Sequence, residues 1–182
     1  SSHYPAAKDD AGLIPFFELF GKSTCMRGLT KELTLFLVAL VVVALDQVSK
    51  FFIRANMALG QSIPEEGFFH ITYGTNTGGV FGIFANQAFL ITLTAIVGVA
   101  AILIYSRYPL FNSLLVRIAL GLLLGGAVGN LIDRIRFGEV VDFIDVGAWP
   151  VFNLADSAIV VGVILLACYL IFSARKGKAV QP

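Results

Sequence analysis

Residues Ile118–Arg134 read IALGLLLGGAVGNLIDR, and this stretch decides the fold. It carries no charge from Ile118 to Ile132, then ends on Asp133 and Arg134. With Leu114–Val116 extending it past Arg117, it nears the roughly 20 apolar residues that cross a hydrocarbon core of about 30 Å at 1.5 Å per residue. Gly121, Gly125 and Gly129 recur every four residues and Asp133 continues the row; Gly126, Asn130 and Arg134 form a second row with the same spacing. Residues four apart share a helix face, and small residues on such a face let a neighbouring helix come close. The stretch reads as a membrane helix packed through glycine and polar at one end.

Three further apolar segments lie outward from it. Leu33–Ile53 is apolar until Asp46 and Lys50, Ala88–Ser106 has no charged residue, and Ser157–Ala174 follows Asp156. The whole chain of 182 residues is 57% hydrophobic and 14% charged, with a mean hydropathy of +0.84. Soluble domains average roughly 25% charged residues. This composition excludes intrinsic disorder, and a net charge of +1 gives no basic surface for nucleic acid. The two cysteines, Cys25 and Cys168, are too few for a disulfide framework. The expected fold is an α-helical membrane protein with four transmembrane helices.

Lysine and arginine bias orients the spans. Arg27 and Lys31 precede the first, Arg107 and Arg117 lie between the second and third, and Arg175, Lys176 and Lys178 follow the fourth. The opposite loops mix Arg54, Arg134 and Arg136 with Glu65, Glu66, Glu139, Asp142 and Asp145. Both termini are therefore expected in the cytoplasm, with the acidic loops outside. Asp46 and Lys50 stand where a signal peptide would carry a small-residue cleavage site, so the first span reads as an anchor. Residues 1–25 read as an expression remnant or a disordered N-terminal extension, because Met26-Arg27-Gly28 resembles a natural start. That leaves 26–176 as one four-span domain and 177–182 as a cytoplasmic tail.

The loop Gly60–Phe84 alternates Phe68, His70 and Thr72 with Phe69, Ile71 and Tyr73, a half-buried strand pattern punctuated by Gly74, Gly78, Gly79 and Gly82. A small extracytoplasmic β-sheet between helices 1 and 2 is the simplest reading. His70 has no cysteine or carboxylate partners at metal-ligand spacing and reads as structural.

Polar groups at membrane depth are costly and are normally paired or functional, which singles out Asn130, Asp133 and Arg134. Asp142 lies in Val140-Val141-Asp142-Phe143 and Asp156 opens the fourth span. Two carboxylates in apolar sequence near one membrane face suit a pair that shares a proton, one member acting as base on water and the other as acid. Asn153 is placed to cap the fourth helix, with Asp156 third in the helix near its positive end. Asp142, read as a loop residue among Val140, Val141 and Phe143, is then expected to hold the shared proton. From the residues alone, three functions stand open: an aspartyl hydrolase, a proton-coupled transporter using the same aspartates, and an assembly subunit that buries them against a partner. Clustering at one face and the lack of evident inverted repeats weaken the transporter. Ser157 lacks the surroundings of a serine nucleophile.

Five blocks carry a more specific signal: Asp46-Gln47-Val48-Ser49-Lys50, Asn76-Thr77-Gly78-Gly79-Val80-Phe81, Gly125–Arg134, Val140–Phe143 and Phe152-Asn153-Leu154-Ala155-Asp156-Ser157. In this order, on a four-span chain, they resemble the bacterial lipoprotein signal peptidase (signal peptidase II) family across Leu33–Phe172. The resemblance implies an aspartic endopeptidase of the bacterial plasma membrane that removes the signal peptide of a diacylglyceryl-modified prolipoprotein, cutting before the lipidated cysteine. It carries catalytic roles onto Asp142 and Asp156, and substrate or inhibitor contacts onto Asn76, Asn130, Arg134 and Asn153. Asp46, Lys50, Asp133 and Gly126 take supporting roles; Asp46 and Lys50 also have the i, i+4 order of a helical ion pair. The implied partners are the lipidated prolipoprotein, membrane phospholipids and globomycin-type inhibitors, with no nucleic acid, no cofactor or metal, and a monomeric enzyme.

Overall fold

The computed structural model describes residues 14–77, 88–106 and 113–178, with side chains described over 32–77, 92–104, 106 and 113–175. Four helices are present among them: α1 (Ile14–Asn56), α2 (Ala88–Tyr105), α3 (Leu114–Phe137) and α4 (Leu154–Lys178). Three short strands complete the order, β1 (Ser62–Ile63) and β2 (His70–Asn76) after α1, and β3 (Val140–Asp145) between α3 and α4. Among the described residues, Glu32–Asn56, Leu114–Phe137 and Leu154–Arg175 are long and apolar enough to cross a membrane, and Thr92–Ile104 is a shorter apolar stretch. α1 also runs back to Ile14, into the stretch that sequence sets aside as an extension.

α3 is the central helix. More than half of its span is buried, against a small part of α1 and less of α4. Its two glycine rows explain this position. A Cβ at Gly121 would fall 2.8 Å from the Leu35 carbonyl, and one at Gly125 2.7 Å from Val42 Cβ, so the first row lies against α1. Gly126 lies against the Ala155 backbone and Ile159, so the second row faces α4. α4 returns the contact through Gly162, packed on Ala119 and Leu123. Backbones approach this closely only where no side chain intervenes. The apolar core between them is Leu35, Ala39, Val116, Leu120 and Leu124, with Val99 and Ile102 of α2 packed alongside. Leu40, Phe51, Val160 and Phe172 point outward, as helix faces do when lipid takes the place of a protein partner.

α3 starts where the Ser113 hydroxyl accepts the Val116 N–H and stops at Gly138, whose φ of 77° puts it in the left-handed region and whose N–H reaches the Arg134 carbonyl. The helix thus extends five residues beyond Ile132 and carries Asn130, Asp133 and Arg134 on ordered turns. The strands form one antiparallel sheet in the order β1-β2-β3. Two corrections to the sequence reading follow. The sheet is not built from the α1–α2 connection alone, because β3 comes from the other side of α3. Asp142 is a strand residue, not a loop residue, opposite Gly74 across a bulge between Ile71 and Gly74. The strand on the first connection begins at His70, with Phe68 and Phe69 exposed ahead of it. Of the loop glycines, Gly78, Gly79 and Gly82 lie outside the described residues, as do Val80 and Phe81.

Candidate active site

The end of α1, the end of α3, β3 and the start of α4 converge on one polar cluster. Asp46, Gln47, Lys50 and Arg54 come from α1, three of them on a row spaced by four. Lys50 is wholly buried; its ammonium lies 2.8 Å from Asp46 Oδ2 and 2.9 Å from Asp133 Oδ2. Arg54 Nη2 meets Asp133 Oδ1 at 3.1 Å, and its guanidinium stacks over Phe137, 4.1 Å from the ring centre. Gln47 Nε2 adds bonds to the Gly129 carbonyl at 3.1 Å and to Asp133 Oδ1 at 3.2 Å. Asp46 also reaches across the bundle, where Oδ1 accepts the Ala155 N–H of α4 at 3.0 Å. A side chain at Gly129 would collide with the Asp46 carboxylate, 2.7 Å from the position of its Cβ. The expected Asp46–Lys50 pair therefore exists, and it ties α1 to both α3 and α4.

Asp142 and Asp156 sit beside this ion cluster and are met by amides. Asn153 caps α4: its Oδ1 accepts the Asp156 N–H at 2.9 Å, as the sequence anticipates. Its Nδ2 donates to Asp142 Oδ1 at 2.7 Å. Asn76, the last residue of β2, donates to Asp142 Oδ2 at 3.3 Å. Asn130 Nδ2 donates to Asp156 Oδ1 at 2.7 Å. Arg134 donates to the Asn130 carbonyl at 3.4 Å; its buried Nε has no partner, and its charge lies in electrostatic range of Asp156, Asp142 and Asp133. Every predicted site residue is thus gathered here, and Gly126 supplies the close approach of α3 to Ala155.

Asp142 is buried, and that burial, together with the neighbouring Asp156 charge, pushes its carboxyl up to about 6 against the opposing pull of Asn153, Asn76 and Lys50. Asp145, three residues on, behaves oppositely. It accepts the Gly147 N–H at 2.8 Å and the Thr72 hydroxyl at 2.9 Å, which hold it below its ordinary value. His70 pairs with Asp145 in the sheet register. Beside Asp156 opens an apolar groove of about 580 Å³, lined by Val146, Trp149, Phe152, Val160 and Val161. Among the described residues no group of His, Cys, Asp and Glu side chains is arranged to hold a metal ion.

Sequence reasoning missed two members of the cluster. In the sequence Gln47 stands out only as part of a motif, and Arg54 reads as a loop charge. The spacing 46, 50, 54 was the available signal, since it carries one helix face past the apparent end of the span.

An apolar bundle with an ordered polar cluster at one end, two of its carboxylates held by neutral donors, has the make-up of a membrane enzyme. Two solved structures described as bacterial membrane enzymes share the fold: one at 36% identity and a TM-score of 0.72, covering 78% of this chain and 89% of its own, the other at 37% and 0.69, covering 75% and 92%. The family model for signal peptidase (SPase) II matches residues 38–172. Lipoprotein signal peptidases of Moorella thermoacetica and Halothermothrix orenii are 50% and 46% identical, over 76% and 74% of this chain and 93% of each relative. That of Dehalococcoides mccartyi is 44% identical over 82% of this chain and 96% of its own length. The chain belongs to the signal peptidase II family and is an aspartic peptidase of a bacterial membrane.

Proposed function

We propose that this enzyme removes the signal peptide of diacylglyceryl-modified prolipoproteins, cutting before the lipidated cysteine, with Asp142 and Asp156 as its catalytic dyad. The observation that carries the reading is the different setting of the two carboxylates on either side of Asn153. Asp142 is buried in the sheet and keeps its proton well above the usual carboxylate range, whereas Asp156 stands in the first turn of α4, its N–H held by Asn153 and its carboxylate accepting the Asn130 amide at 2.7 Å. In the proposed cycle the Asp156 carboxylate takes a proton from water as the oxygen attacks the scissile carbonyl carbon. Asp142 gives its proton to the carbonyl oxygen, leaving a neutral gem-diol. On collapse the C–N bond breaks, the departing amine takes the proton from Asp156, and a diol hydroxyl returns one to Asp142. The dyad ends as it began.

The apolar groove beside Asp156 suits the hydrophobic part of such a substrate. Arg134, with an unpartnered Nε, and the Asn76 amide are suited to peptide carbonyls, and globomycin-type inhibitors would compete there. On this reading α2 is the fourth span, both termini are cytoplasmic and the dyad lies near the extracytoplasmic face, where phospholipid-embedded substrate arrives. A cysteine introduced at Glu65 should label from outside the cell. The direct test is to incubate the purified monomer with a diacylglyceryl prolipoprotein and follow its mass: loss of the signal peptide supports the function. An unchanged mass, with transport activity or an obligate co-purifying partner instead, would favour the readings set aside above.

A further inference from the structure

We infer that Lys50 is a positioning residue: its buried ammonium fixes which way the Asn130 amide faces, and so makes Asn130 a donor to Asp156. The inference rests on the dyad reading above and adds a residue that touches neither carboxylate among the described contacts. An amide has an acceptor end and a donor end, whereas an ammonium can only donate. Lys50 Nζ donates to Asn130 Oδ1 at 2.9 Å, and Asn130 Nδ2 donates to Asp156 Oδ1 at 2.7 Å. Turned over, the amide would point its NH2 at the ammonium and its oxygen at the carboxylate, two contacts of like polarity.

The other neighbour of that oxygen cannot set the direction alone. Asn153 Nδ2 reaches Asn130 Oδ1 at 3.2 Å, but it is shared with Asp142 at 2.7 Å and the Val141 carbonyl at 3.3 Å. Asn153 has its own lock, because its Oδ1 is held by the Asp156 N–H. Each dyad carboxylate therefore receives its shortest bond, 2.7 Å, from the NH2 of an oriented amide: Asn153, oriented by the α4 backbone, and Asn130, oriented by Lys50. The ammonium is itself held still by Asp46 and Asp133; the Asp133 contact is an ion pair without an aligned hydrogen bond, which leaves Asn130 a well-directed share. An apolar residue would spare the desolvation of a buried charge, but it would offer the amide no preference.

The test compares the unmodified enzyme with Asp46→Asn/Lys50→Met, which removes one charge of each sign and keeps an oxygen to cap Ala155. Lys50 and Asp46 act directly on Asp156 with opposite sign, so losing both offsets that effect, while Asp142, Arg134 and the Asp133–Arg54 pair stay in place. We expect the variant to remain folded by circular dichroism and to lose roughly tenfold to a hundredfold in kcat with KM little changed. Its acidic limb should move to higher pH, since an amide oxygen facing Asp156 disfavours the carboxylate. In an Asn130→Ala background the same double change should cost little more, because the amide it acts through is gone. Equal losses in both backgrounds, or a lower kcat with an unmoved acidic limb, would overturn the inference. Infrared spectra give a readout free of turnover, using the protonated-carboxyl band assigned by its loss in Asp142→Asn and Asp156→Asn. Growth of that band at neutral pH in the double variant supports the inference, and an unchanged band overturns it, even if the unmodified enzyme were to cleave nothing and the proposed function fell.

Discussion

Asp46 and Asp133 on one side of the cluster, and Asp142 and Asp156 on the other, occupy the same end of the bundle but are answered by different chemistry. The first pair is neutralised by two cations: Lys50 lies within 3 Å of both, and Arg54 adds a second contact to Asp133. The second pair forms no ion pair among the described residues and is held by the amides of Asn76, Asn130 and Asn153. A carboxylate locked to a cation ties two helices together and serves as a strut. A carboxylate held by amides, buried beside a like charge, can exchange a proton at modest cost. Four aspartates thus divide into two that fold the protein and two that the proposed chemistry uses.

The largest expected effect falls on the strut pair. Asp133→Asn leaves Lys50 buried with part of its charge uncompensated, a change that typically costs about 3–5 kcal/mol. Thermal unfolding in detergent should show it as a marked fall in midpoint; a midpoint near native would break the distinction between the pairs. The dyad should respond in the opposite sense. Folding raises the Asp142 carboxyl from 3.8 to about 6, so the folded protein binds the proton more tightly than the unfolded chain does. Stability then falls as pH rises from about 4 to about 6, and above that the ionised group destabilises the fold by up to about 3 kcal/mol. Asp142→Asn should therefore unfold at higher temperature than the native protein at pH 8, with the gap closing below about pH 5. A gap independent of pH would contradict the burial of an ionisable Asp142.

The contrast also reaches into the packing that holds both pairs together. Gly125→Leu would drive a side chain into Val42 and Ala39, whereas Gly98 on α2 has open space around it. Overpacking of this kind costs about 1–3 kcal/mol, so Gly125→Leu should lower the unfolding midpoint while Gly98→Leu leaves it nearly unchanged. Gly60 is a poorer control, since its φ of 82° strains any larger residue regardless of space. The smallest effect is a predicted constancy: cleavage should persist undiminished in EDTA, because in the proposed mechanism the two carboxylates carry the acid and base roles themselves.

Much of this was legible in the chain, because the deciding signals are local. The rows 121, 125, 129 and 126, 130, 134 needed only the helical repeat to show two packing faces, and each lies against a neighbour in the structure. The Asn153 cap and the Asp46–Lys50 pair likewise follow from spacings of three and four. The strand Val140–Asp145 was not legible. Its partner β2 lies more than sixty residues earlier in the chain, and two aspartates in a run of six disguise a strand that is buried on α3 and paired with Gly74 through Asn76. Arg54 was missed for a related reason: the apolar run fades after Ile53 while the helix continues to Asn56, and only the fold shows its charge returning to Asp133.

On the proposed mechanism the amide-held pair does the chemistry and the cation-held pair does not. That division is tested most directly by measuring prolipoprotein cleavage and folded fraction together for Asp142→Asn and Asp156→Asn. Both variants should purify folded and lose cleavage by about a thousandfold or more, since neither asparagine can exchange the proton. Turnover within about tenfold of native in either folded variant would contradict the account.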